Sequence, residues 1–192
     1  MSSVAVFRRP HEPLAEDLED VFREHSRLVY RTAYSVTGSA QDAEDVVQTL
    51  FLQLLRRGLP PAFKKNPKGY LYRAAVNLSL NAVKARQRRA SGVDPDRLDI
   101  ADSRVDERQE SIATDELQTR LVAAIAQLNP RAVEMLILRY EHDTSEAEIG
   151  RLLGTSRAVV AVTLFRARAR LKKLLRTSTV EADLQVGSRH KL

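Results

Sequence analysis

The chain has 192 residues, no cysteine, no tryptophan, seven glycines, seven prolines and a formal net charge of +6. These values exclude disulfides and thiolate metal sites, disfavour a sandwich or barrel, and leave room for one mid-sized helical domain or two small ones. The missing cysteines fit a reducing cytoplasm; no apolar h-region opens the N-terminus and no apolar run approaches the ~20 residues that span a bilayer, so neither secretion nor a membrane is expected.

The first helix is written by Leu18, Val21, Phe22, Leu28, Val29, Ala33 and Val36, a stripe of period 3.6. Gly38 ends it as a left-handed cap. Ser39 then N-caps a second helix, with Asp42 in the acid position of a capping box. Its buried stripe is Ala43, Val46, Val47, Leu50, Phe51 and Leu54. "GLPPAFKKNPKG" breaks the pattern with three prolines and two glycines and reads as a loop. A third helix starts near Tyr70 and buries Leu71, Ala74, Ala75, Leu78 and Ala82, completing a three-helix bundle.

Charge then divides the chain. Residues 58 to 89 carry eight cations and no acid, whereas residues 90 to 116 carry nine acids against three arginines. Beyond them the sign turns positive again. This order suggests two basic modules joined by a mobile acidic tether, helical near its end.

The second module resumes helical spacing with Leu117, Leu121, Ala124, Ile125 and Leu128. Asn129-Pro130 opens the next helix, which buries Val133, Leu136, Ile137 and Tyr140. Ser145 and Glu148 form a capping box before "EIGRLLG", Gly154 turns the chain and Ser156 caps the last helix. With Ile149 and Leu153 inward, Gly150 at the close approach, and Val160 and Leu164 as anchors, this is a helix-turn-helix. Along the last helix Val160, Leu164, Ala167, Leu171 and Leu174 form a narrow apolar seam. Arg166, Arg170 and Lys173 lie on one side of it, Arg168 and Lys172 on another. Arg157 and Arg166 read as DNA contacts; Lys172, Lys173 and Arg176 complement the helix dipole.

Catalysis is not expected. His11, His25, His142 and His190 are scattered, and no phosphate loop, nucleophile elbow or His-carboxylate cluster occurs. His25 falls on an apolar stripe and reads as structural. Asp94, Asp96 and Asp99 lack a supporting histidine and a fixed spacing, so no metal and no cofactor are expected.

Three long stretches carry a family resemblance. "DAEDVVQTLFLQLLRR", "GYLYRAAVNLSLNAVKARQRR" and "LNPRAVEMLILRYEHDTSEAEIGRLLGTSRAVVAVTLFRARARLKKLL" resemble, in order, regions 2.2, 2.3–2.4 and 4 of bacterial extracytoplasmic-function sigma factors. The resemblance covers residues 14 to 176. It implies an all-α fold of two small helical domains: region 2 over 14–89, an acidic linker over 90–115 and region 4 over 116–176. A tail over 177–192 has no match.

The implied role is a transcription initiation factor that binds core RNA polymerase and directs it to promoters, recognising −10 and −35 elements and promoting melting. Asp42, Asp45, Gln48, Leu52 and Arg56 would face the polymerase clamp. Leu52 reads equally well as packed under the proline-rich loop. The −10 element would be held by Phe63, Lys64, Lys65, Lys68, Tyr70, Tyr72, Arg73, Asn77, Asn81, Lys84 and Arg88. Cations serve the freed backbone, aromatic rings offer stacking faces, and Asn77 matches the position that contacts a flipped base. Tyr70 and Tyr72 lie on different sides of one helix, so one of them is expected to be buried.

The −35 element would be read by Ser156, Arg157, Ala161, Val162, Arg166 and Arg170, with region 4 also docking on the polymerase flap. Relatives commonly carry a Gly-Thr-Val-Lys-Ser-Arg run where this chain has Ala158 to Thr163, "AVVAVT". Weaker or more apolar −35 recognition is therefore expected, since methyl groups can still meet thymine methyls. The acidic linker would thread the RNA exit region or act only as a spacer. The family also implies an anti-sigma factor as partner and a cytoplasmic setting. The competing reading is a polymerase-independent helix-turn-helix regulator.

Overall fold

The computed structural model describes residues 13–90 and 111–188, with side chains from 18 to 90 and from 116 to 177. Among the described residues there are eight helices and no strand. The tether's acidic residues 94 to 110 lie outside them.

Helix α1 (Pro13–Thr37) closes on Gly38, whose φ of 65° is the left-handed cap expected. Ser39 then caps α2 (Ala40–Arg57) by accepting from the Asp42 N–H at 3.2 Å. The reciprocal half of that capping box does not form. Asp42 instead receives Arg86 from across the bundle at 2.6 Å, and Thr37 Oγ1 accepts the Ser39 N–H. Aspartate is one methylene shorter than the glutamate that reaches back in a capping box.

Only residues 58–60 of the proline-rich stretch form the expected loop. Pro61 starts a short helix α3 (Pro61–Lys65), and Pro67 starts α4 (Pro67–Ala90), three residues before the expected beginning. Both prolines occupy a first helical turn, where a missing N–H costs nothing. Asn66 joins the two helices and accepts from the Gly69 N–H at 2.9 Å. Asn66-Pro67 thus repeats the cap-then-proline device of Asn129-Pro130 (Asn129 accepts from the Arg131 N–H at 2.9 Å).

α4 is three-sided. Leu71 and Ala75, with partly buried Ala74 and Leu78, pack into a core with Leu18, Val29, Leu50, Phe51, Leu54 and Phe63. A second side, Tyr72, Val76 and Leu80, joins the largest core of the molecule, whose other members come mostly from the C-terminal helices. Val83 continues that side against Val122 and Ala126. The sequence reading missed this side because two apolar faces leave a helix little amphipathic contrast.

The C-terminal unit comprises α5 (Ser111–Ile125), α6 (Pro130–Tyr140), α7 (Glu146–Leu153) and α8 (Arg157–Ser188). Of the stripe expected for α5, Ala124, Ile125 and Leu128 are buried, whereas Leu117 and Leu121 are exposed and Val122, with Ala126 just past the helix, is buried instead. Tyr140, expected inside, is 60% exposed and accepts a hydrogen bond from Arg168 at 3.3 Å. It stands at the last turn of α6, beyond the reach of the core below. The capping box of Ser145 and Glu148 is complete, and Gly154 takes φ 66°. A Cβ on Gly150 would lie 2.7 Å from the Thr155 carbonyl oxygen, so only glycine admits this close turn. Val160, Leu164 and Ala167 of α8 are buried as expected.

Candidate nucleic-acid interface

The third side of α4 faces solvent. At 100° per residue, Tyr70, Arg73, Asn77, Asn81, Lys84 and Arg88 fall within an arc of about 80° along about 27 Å of helix. All are exposed except Tyr70, which is half-buried. Two amides therefore stand in the middle of a line of cations, with a phenol at its start. This is an arrangement for an anionic strand whose base edges can exchange hydrogen bonds with an amide.

Five expected members do not join that stripe. Tyr72 is 1% exposed and meets His142 edge to face, with centroids 5.1 Å apart. Phe63 is buried beneath α4 with its ring against the edge of Tyr70. Neither offers a stacking face here, because each fills a core that its helix must cover. Lys68 projects to the far side of α4, into a cleft with His142, Glu148 and Arg151. Lys64 and Lys65 are exposed on α3.

A polar seam holds the two helical units together. Arg31 of α1 donates to the Glu141 carboxylate at 2.9 Å and to its main-chain carbonyl at 3.0 Å. Asn66 Nδ2 donates to the Leu152 carbonyl at 2.8 Å, and Gln118 donates to the Gly38 carbonyl at 3.0 Å. Thr32 Oγ1 lies 3.3 Å from His142 Nε2. The Arg31 hydrogen bond holds the Glu141 carboxyl below its ordinary pKa. Burial, with Arg31 and Lys68 nearby, pushes the His142 imidazole down. Glu134 is buried in α6; burial raises its pKa, against the opposing pull of Arg131 at 2.9 Å and of Arg73 from α4.

Ser156, just before α8, and Arg157, Val162, Arg166 and Arg170 on it are exposed, whereas Ala161 is half-buried on a flank. Arg157 Nε lies 3.5 Å from Glu146, so its charge is partly answered. The sequence reading missed Phe165, 68% exposed, and Val159. Phe165 lies three residues past Val162 and opposite the Val160–Leu164–Ala167 seam, so its outward position was readable from helical spacing alone.

On α2, Asp45, Gln48, Leu52 and Arg56 share the exposed side. Leu52 is 48% exposed, so the proline-rich segment does not cover it. Leu55 is exposed beside it, and a shallow groove lined by Phe22, Arg27, Tyr30, Val47 and Gln48 runs along the α1–α2 junction. Asp42 departs from this group through its pairing with Arg86. Among the described residues no cluster of His, Asp and Glu could hold a metal ion. No described helix is long and apolar enough to cross a membrane.

Two family models match the chain, Sigma-70 region 2 over residues 21–89 and Sigma-70, region 4 over residues 118–171. The chain is similar to the ECF RNA polymerase sigma factor SigE of Mycolicibacterium smegmatis, 29% identical over 160 residues, 82% of this chain and 61% of that protein. It is 28% identical over 186 residues to the ECF RNA polymerase sigma factor SigG of Mycobacterium tuberculosis, covering 86% of this chain and 50% of the relative. The chain thus spans between half and two thirds of the length of these two relatives. The RNA polymerase sigma-E factor of Streptomyces antibioticus is 28% identical over 166 residues, 86% of this chain and 88% of that one. Among solved structures, a co-crystal of the sigma factor RpoE with the anti-sigma factor NepR from Bartonella quintana aligns with a TM-score of 0.45 at 19% identity, over 84% of this chain and 98% of that one.

Proposed function

Because the chain belongs to the extracytoplasmic-function sigma factors of the Sigma-70 family, we propose that it binds core RNA polymerase in the cytoplasm and selects promoters through α4 and α8. The exposed amide-and-cation stripe of α4 is the observation that carries this reading. In it Asn77 and Asn81 hold an extruded base of the −10 element, while Arg73, Lys84 and Arg88 hold the strand. Lys64 and Lys65 extend the cationic track from α3. The outward side of α2, with Asp45, Gln48, Leu52 and Arg56, meets the polymerase clamp. α8 enters the −35 major groove. Residues 14–89 and 116–176 act as the two working units, the linker between them as tether, and an anti-sigma factor as inhibitor.

The seam then describes a resting state. A −10 and a −35 element lie about 25 base pairs apart, or about 85 Å at 3.4 Å per pair. α4 and α8 both pack on α6, so near that contact their axes are only about 20 Å apart, two interhelical spacings. The two units must part before both elements can be held. Residues 91 to 110, twenty in number, reach at most about 70 Å when extended. Added to the dimensions of the two units, that reach is enough.

Run-off transcription with core enzyme, followed by sequencing of start sites, tests the reading. The wild-type chain should confer discrete starts, and Asn77→Ala should reduce melting of the same promoters while leaving core binding intact. Absence of start-site selection overturns the proposal. A shift of promoter DNA by the chain alone, without polymerase, would instead support the stand-alone regulator.

A further inference from the structure

α8 carries a solvent-facing stripe that its cation content conceals. Ala158, Val162, Phe165 and Ala169 follow i, i+4, i+7, i+11, directly opposite the buried Val160, Leu164 and Ala167. Val162 is 48% and Phe165 68% exposed, and Val159, 49% exposed, borders the stripe. No described part of the chain covers these side chains.

The flanks identify what does. Arg166 and Arg170 rise on one side of the stripe, Arg168 and Lys172 on the other, all of them exposed. An apolar protein groove would have to answer cations along both rims. The major groove of DNA answers them without adaptation, because it is about 12 Å wide, admits a helix, and has a phosphate wall on each side. Its floor also carries an apolar group, the thymine C5-methyl, which Ala and Phe side chains contact directly. From Ala158 to Ala169 the stripe extends about 16 Å, the rise of about five base pairs.

We infer that α8 reads its promoter element chiefly by packing Val162 and Phe165, with Ala158 and Ala169, against thymine methyls, while the flanking cations hold the two phosphate walls. The specificity of this helix is thus for a methyl pattern in the upstream element rather than for hydrogen-bonding edges. Phe165 and Val162 are its specificity-determining residues, and Ala161, on the flank, is not. This inference rests on the promoter-selecting role proposed above and names what one of its two elements must contain.

Uracil supplies the test, because it pairs as thymine does and lacks only the methyl. The probe is a promoter duplex mapped by start-site sequencing with the holoenzyme of this chain. Each thymine of its −35 segment is replaced in turn by deoxyuridine, and the −10 segment is left intact. Holoenzyme affinity should fall about fourfold for each contacted methyl removed, at two or more positions. Val162→Ala/Phe165→Ala should bind thymine DNA more weakly and lose most of the discrimination against uracil, the remainder coming from the smaller alanine contacts. Since both residues are exposed, its melting temperature should match the parent.

Affinity unchanged by uracil at every −35 position, or mapped promoters without thymine there, overturns the inference. So does a double variant that loses equal affinity on thymine and uracil DNA, which would place these side chains on a protein surface. Discrete start sites with no uracil effect sink this inference alone. Failure to select any start site sinks the promoter-selecting role and this inference together.

Discussion

Arg31 grips Glu141 through both its carboxylate and its main-chain carbonyl, joining α1 to the turn that follows α6. Both side chains are partly exposed, so the pair itself contributes no more than about 1 kcal/mol. Asn66 on Leu152 adds a net ~1 kcal/mol of the same order. Losing both should raise the population of parted units by up to roughly thirtyfold. The chain has no cysteine, so Gln53→Cys and Lys172→Cys accept a fluorophore pair without competition. Arg31→Ala/Asn66→Ala should lower the transfer efficiency of that pair; an unaltered efficiency would remove the seam from the resting state.

Acid should loosen the same seam. Thr32 of α1, Lys68 and Tyr72 of α4, and Glu141 of the α6–α7 turn surround His142, with Arg31 close enough to oppose its charge. Asp143, Glu148 and Arg151 line the same cleft. The packed units hold the imidazole below its ordinary value of about 6.5, so they bind fewer protons than the parted ones. The stabilisation from neutral His142 is therefore complete above about pH 6.5 and is lost as pH falls from there through the depressed value. Transfer efficiency should drop across that window, and His142→Asn should flatten the drop. A pH-independent signal from pH 7.5 to 5.5 would exclude His142 from the seam's energetics.

Gly69 offers a steric route to the same opening. A Cβ there would stand 2.6 Å from Asn66 Nδ2 and 2.8 Å from the Leu152 carbonyl. Asn66 can swing away, but the carbonyl is main chain. Gly69→Ala should therefore part the units while leaving α4 helical, since alanine is the better helix former by about 1 kcal/mol. Retained helicity by circular dichroism with reduced energy transfer is the expected pair of results.

Gly150→Ala should act on the helix-turn-helix itself. The Thr155 carbonyl 2.7 Å from the added methyl belongs to the turn, so the turn must shift at a cost of about 1–3 kcal/mol. Thermal unfolding should show a loss of several degrees. Leu52→Asp makes the contrasting case. An exposed leucine should change stability by no more than about 0.5 kcal/mol, yet the substitution should abolish capture of core polymerase in a pull-down. Retained capture would move the clamp contact elsewhere.

Much of this molecule is legible in short windows of its sequence. Ser145, Gly150, Gly154 and Val160 announce the helix-turn-helix because each satisfies a local requirement: a cap, a close approach, a left-handed turn or an anchor. What escapes such windows is long-range. Pro61 and Pro67 read as breakers although each sits in a first helical turn, and Asn66-Pro67 carries the same signal as Asn129-Pro130. Tyr72 reads as a stacking ring because nothing local says that a second helical unit will cover it. Leu117 and Leu121 take the stripe of α5 by size, whereas the neighbour they lack lies outside any local window. The members of α4's exposed stripe can be named from spacing and residue type, but only the helix's geometry separates Tyr70 and Asn77 from Tyr72 and Lys68.

The three-sidedness of α4 leaves that rod no idle flank. On the proposed reading, a change on the side of Leu71 would be felt as stability, one on the side of Tyr72 as closure, and one on the side of Asn77 as promoter choice. Because all three sides share one rigid axis, a parting of the units on the side of Tyr72 would leave the alignment of the other two undisturbed.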